Sequence, residues 1–147
     1  MLASTQWLSW ALLSAGFAAA TAVLAKIGIQ GVDSDMATLV RTVVIVVLLA
    51  LFVKATGKWS NPVDLPPRTL LFLALSAVAT GASWVCYFRA LQLGPASLVA
   101  PVDKLSVVLV VILSVGFLGE RPSLRDWCGL AMIAGGVLLL ALPRKGS

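Results

Sequence analysis

Apolar residues in this chain come in long runs, separated by short polar stretches rich in Gly, Pro, Asp and Asn. The runs cover 7–26, 36–53, 69–89, 96–118 and 126–142. Crossing a hydrocarbon core of ~30 Å takes about 17–25 residues of helix, so each run is of spanning length, the last at the short limit. Backbone groups in lipid must be bonded within their own segment, which predicts helix even for the Val- and Ile-rich run 36–53. The pattern predicts an all-α polytopic membrane protein, a bundle of about five transmembrane helices, with 1–147 as a single membrane domain.

The separators carry their own reasons. Gly28, Gly31 and Asp33-Ser34-Asp35 form the first turn, and Gln92, Leu93, Gly94 and Pro95 a tight return after a third span closed by Arg89. The stretch from Lys54 to Arg68 is the longest connection, because Asn61-Pro62 and Pro66-Pro67 block helix continuation there. Gly119-Glu120-Arg121-Pro122-Ser123 is the last turn. Pro101 removes one backbone donor and predicts a kink in the first turns of the fourth span. The first span is too long, and wrongly flanked, for a cleaved signal peptide.

Composition agrees with a lipid solvent. The chain is 60% hydrophobic and 12% charged, with mean hydropathy +1.02, whereas soluble domains carry ~25% charged residues. Histidine is absent, which removes imidazole base catalysis and most catalytic zinc sites. No Gly-rich phosphate loop, zinc-protease helix or nucleophile elbow is found. The expectation is a protein that is not an enzyme, with no cofactor and no metal. Cys86 and Cys128 lie inside apolar runs without Cys-x-x-Cys spacing and read as small packing residues. The net charge of +5 sits partly at segment ends, where Lys and Arg anchor to anionic headgroups, so it implies membrane lipid and no nucleic acid.

With five spans the termini fall on opposite faces. Lys54, Lys58, Arg68, Arg121 and Arg125 then lie on the N-terminal face, together with Trp7, Trp10, Trp59 and Trp127. Lys26, Arg144 and Lys145 edge the other face, with Arg41, Arg89 and Lys104 deeper. The bias favours the N-terminal face as cytoplasmic.

Charges inside spans cost about 2.5–3.5 kcal/mol each on insertion scales and point to function by default. Lys26, Arg41, Arg89, Asp103 and Lys104 all lie nearer the C-terminal face. Arg41 and Asp103 reach comparable depths, about 10 Å at ~1.5 Å per residue, which makes an Arg41–Asp103 pair sensible and leaves a local positive excess. Snorkelling or pairing explains Lys26 and Arg89. Arg41 and Asp103 suit a polar cavity between helices, where Arg41 receives an anionic or carboxylate-bearing ligand.

Hydroxylated and small residues add two stripes. Ser14, Ala18, Thr21 and Ala25 share one helical face, as do Ser76, Thr80, Ser83 and Tyr87. Either lines an aqueous path or allows close helix packing. The candidate substrate-binding residues are therefore Arg41, Asp103, Lys104, Tyr87, Ser83 and Thr80.

The later half carries motifs in order: Tyr87-Phe88-Arg89-Ala90-Leu91, Gly94-Pro95-Ala96-Ser97 and Leu118-Gly119-Glu120-Arg121, then Trp127, Gly129 and Gly135-Gly136. This order resembles the EamA family of the drug/metabolite transporter superfamily, most specifically over 87–142. The first two spans add mainly hydropathy. The resemblance implies a half-size member, one five-helix repeat where family members usually hold two in inverted orientation around a central cavity. It implies a small-metabolite transporter of the inner (plasma) membrane working by alternating access, completed by a second half-size chain or an antiparallel copy of itself. Small residues such as Gly81, Ala131 and Gly135 would join the copies. The superfamily's four-helix multidrug exporters couple to protons through a carboxylate in the first helix, and 7–26 has none. Two rivals remain open: a non-transporting accessory or assembly subunit of a membrane complex, and a subunit of a flippase for a lipid-linked sugar or phospholipid.

Overall fold

The computed structural model describes residues 3–142. Arg144 and Lys145, named above as anchors, lie outside the described residues. Among the described residues five helices are long and apolar enough to cross a membrane: Gln6–Gly28, Ser34–Ala55, Pro67–Leu93, Ala96–Leu118 and Leu124–Ala141. The chain is a multi-pass membrane protein of all-α class. Contacts divide it after Leu93 into two compact units.

The first unit holds α1 (Ala3–Gly28), α2 (Ser34–Ala55) and α3 (Pro67–Leu93). Gly31 adopts φ 72° in the turn after α1, a left-handed backbone that other residues adopt only at a cost. Asp33 then caps α2, its carboxylate accepting from the backbone N–H of Asp35 at 2.9 Å and of Met36 at 3.1 Å. The predicted turn at Asp33-Ser34-Asp35 is thus a cap followed at once by helix. The stretch 56–66, with a single 3-10 turn at Pro62–Asp64, is the longest connection among the described residues. Pro67 opens α3, where its missing N–H costs nothing. Arg89 does not close this helix, contrary to the sequence expectation. It runs on to Leu93, because the first breaker is Gly94-Pro95 and the residue before a proline is pushed out of helical conformation.

Helix α3 packs against both α1 and α2, while those two hardly touch each other. Asp35 near the start of α2 meets Arg89 near the end of α3, so these helices are antiparallel. Lys26 near the end of α1 donates to the Leu91 carbonyl, so α1 and α3 run parallel. The buried residues are few: Ala22, Ile29, Ser34, Thr38, Phe88 and the fully enclosed Leu91. Ser34 and Thr38 lie one turn apart on α2, and small side chains there let backbones approach where lipid supplies no hydrophobic drive. Thr38 and Thr42 return their hydroxyl protons to the carbonyls of Ser34 and Thr38, at 2.8 and 2.7 Å, so neither brings an unpaired polar group into lipid.

The second unit holds α4 (Ala96–Asp103), α5 (Ser106–Leu113), a π-helical turn (Ser114–Leu118) and α6 (Leu124–Ala141). The predicted kink is a break, and it falls at Lys104-Leu105, just beyond Pro101. Around it the helix tightens, Lys104 N–H bonding the Pro101 carbonyl and Leu105 N–H that of Val102, both at 3.0 Å. Such short-range bonds keep backbone groups paired across a site where proline has removed one donor. Gly119 ends the π turn at φ 68°, which explains the glycine in Leu118-Gly119-Glu120-Arg121. Ser123 and Asp126 form a reciprocal capping box that starts α6. Helix α6 packs on both α4 and α5.

Candidate functional site

Because α1 and α2 share α3 as a floor without closing on each other, a cavity of about 530 Å³ opens in the first unit. Its walls are Thr21, Leu24, Ala25 and Gly28 of α1, Val32 of the turn, Ala37, Val40 and Arg41 of α2, and Phe88 of α3. Among the described residues Arg41 is the one charged liner, and Thr21 brings the one other polar side chain. The volume lies within the ~300–1,000 Å³ range of small-molecule sites.

Two aromatic faces hold the guanidinium. Its central carbon stands 4.4 Å from the centre of the Trp84 ring and 5.5 Å from that of Phe88. Trp84 and Phe88 are one turn apart on α3 and so present adjacent rings. The rings' negative faces compensate a cation that sits about 10 Å into the span at ~1.5 Å per residue. Among the described residues of the first unit the guanidinium has no hydrogen bond and no carboxylate partner.

Beside the cavity, the ends of the helices are tied together. Arg89 grips Asp35 with two hydrogen bonds, 3.1 and 2.6 Å, a fork geometry only Arg provides. Gln92 donates to the Val32 carbonyl at 2.9 Å. Lys26 reaches the Leu91 carbonyl, one of those left over in the last turn of α3, at the negative end of that helix. Asp35 and Arg89 likewise carry the signs favoured at a helix start and end.

The profile of the EamA-like transporter family matches residues 5–142. The chain belongs to the EamA-like transporter family. A Sinorhizobium sp protein named "Uncharacterized transporter in cobO 3'region" is 60% identical over 139 residues, 95% of this chain and 99% of that relative. Over 73 residues, half of this chain and 64% of theirs, the chain is 37% identical to proteins of Yersinia pestis (strain Pestoides F) and Yersinia pseudotuberculosis serotype O:1b. Both are named "Probable 4-amino-4-deoxy-L-arabinose-phosphoundecaprenol flippase subunit ArnE". No solved structure matches.

Within this EamA-like chain the expected site residues fall in different places. Arg41 lines the cavity. Tyr87 is half-buried beside Phe88, ring centres 6.4 Å apart and edge to face. Thr80 and Ser83 are exposed and do not line the cavity, and the Thr80 hydroxyl returns to the Ser76 carbonyl at 2.9 Å. In the second unit Asp103 pairs with its neighbour Lys104 at 3.3 Å, beside the helix break. Sequence reasoning missed Trp84 and Phe88 as partners of Arg41, and Asp35 as the partner of Arg89. The signal was there in part: 84 and 88 have helical spacing, and Asp35 and Arg89 lie at matching ends of adjacent antiparallel spans.

Proposed function

We propose that this chain carries a small metabolite across the inner (plasma) membrane by alternating access, as one half of a dimer whose copies insert in opposite directions, with Arg41 as the polar focus of its substrate site. The observation that carries this reading is the Arg41 cavity, a small-molecule-sized hollow at membrane depth with one unmatched cation in an apolar wall. Asp103 and Lys104, at the broken fourth span, are the second polar feature, since unwound helix at membrane depth is tolerated where it lines a cavity or is covered by protein. Gly81 on α3 and Gly135 on α6 have nothing within 4 Å of the position a side chain would take. They allow a second copy to approach closely.

The likeness to the ArnE proteins favours a second reading, in which the chain is one subunit of a flippase and the cavity holds the phosphate of a lipid-linked sugar. Reconstitution tests the transport reading. Purified chain in proteoliposomes should take up a solute on its own. A chain that binds nothing and moves nothing without a partner would leave the subunit reading standing.

Orientation is measured separately, in a variant lacking Cys86 and Cys128 and carrying Lys58→Cys in the 56–66 connection. Label reaching that cysteine from both sides of the membrane is expected of an antiparallel homodimer. Label from one side alone excludes it.

A further inference from the structure

The chemistry of the Arg41 cavity narrows its occupant, on the transport reading just given. A guanidinium has five N–H donors, and aromatic faces satisfy its charge but not those donors. Among the described residues of the first unit no acceptor meets them, although Arg41 lies well inside the second span and is half-buried. A cation so placed costs least when an acceptor of opposite charge completes it. Within the first unit the described lining holds no carboxylate, so the acidic group of a ligand supplies the acceptor this wall lacks.

The rest of the wall says what that ligand looks like. Leu24, Val32, Val40 and Phe88 offer hydrocarbon, and only the Thr21 hydroxyl adds a second polar contact. One cation balances one negative charge. A dianion would leave surplus charge against apolar side chains, and a cation would meet Arg41 as a like charge. We infer that the Arg41 cavity takes an amphipathic monoanion, its single acidic group on the guanidinium edge and its apolar body along α1 and α2. A soluble carboxylic acid and a lipid phosphodiester both present this chemistry.

Trp84 reports on the site, since its ring lies against Arg41. The experiment uses the full chain in phosphatidylcholine nanodiscs, with Trp7, Trp10, Trp59 and Trp127 replaced by Phe so that Trp84 alone emits. 3-Phenylpropionate should change the emission saturably. Its uncharged amide, of the same shape, should bind about tenfold more weakly or worse, the factor a charge-assisted hydrogen bond supplies. Phenylpropylamine should not bind.

Arg41→Gln should abolish the preference for acid over amide, and Arg41→Lys should keep part of it. Equal binding of acid and amide to the unsubstituted site overturns the inference, and that comparison does not depend on any Arg41 variant folding. Nanodiscs containing phosphatidylglycerol separate the two sources. Competition with 3-phenylpropionate that depends on Arg41 assigns the site to a lipid phosphodiester, and its absence assigns it to a soluble acid.

Uptake of radiolabelled 3-phenylpropionate into proteoliposomes separates this inference from the transport reading. Acid-selective binding without uptake leaves the site chemistry standing and removes the transport reading. Uptake of a neutral or cationic solute that ignores Arg41 does the reverse.

Discussion

Leu91 and Leu93 lie two residues apart at the end of α3, one fully enclosed and the other 91% exposed. In a water-soluble protein Leu→Ala at an enclosed site costs about 2–5 kcal/mol, a sum of the transfer of the lost methyl groups and the cavity they leave. About 1.5–3 kcal/mol of burying such a side chain is removal from water. That part vanishes here, because the unfolded span stays in lipid and lipid is as apolar as leucine. What remains is packing, so Leu91→Ala should cost about 1–2 kcal/mol. Leu93→Ala should stay within about 0.5 kcal/mol of the parent. The Lys26 bond goes to the Leu91 carbonyl and survives the substitution, which keeps the comparison to packing. Reversible unfolding in mixed micelles, titrated with SDS, reads both variants. Equal losses at the two positions would show that Leu91 is not packed as described. A loss of 4 kcal/mol or more at Leu91 would show that water, and not lipid, is its reference solvent.

The Gly119 backbone at φ 68° places a side chain in the left-handed region, at ~1–2 kcal/mol per residue, so Gly119→Ala should lower thermal stability in detergent by that amount while Gly129→Ala, inside α6 with nothing within 4 Å of the added carbon, should not lower it. An unchanged melting curve for Gly119→Ala would mean the last turn does not need this conformation. Asp35→Arg and Arg89→Asp should each lower the melting temperature, and the exchanged pair should restore part of it, because it remakes the ion pair but puts each charge at the helix end that disfavours it. Additive losses in the double variant would refute the pairing.

The fold class was legible because lipid leaves the chain few options. Run length against bilayer thickness, and the need to bond every backbone group within a span, specify five helices before any contact is considered. The turn glycines and prolines place most of the ends for local steric reasons, and Asp33, Ser123 and Asp126 do so by capping. Arg41 stood out for a comparable reason, since a charge two turns into an apolar run is costly wherever the run is packed.

What surrounds Arg41 was decided by tertiary structure alone. Depth along the sequence identifies Arg41, yet depth does not specify rotation about a helix axis. The packing of α2 on α3 turns the guanidinium onto Trp84 and Phe88. The stripe of Thr80 and Ser83 shows the same gap, because helical spacing identifies a shared face but not what it faces, and in lipid small polar residues satisfy their own backbone as readily as they line a path. The cavity itself follows from a choice no local pattern encodes: α1 and α2 both pack on α3 and leave the space between them open.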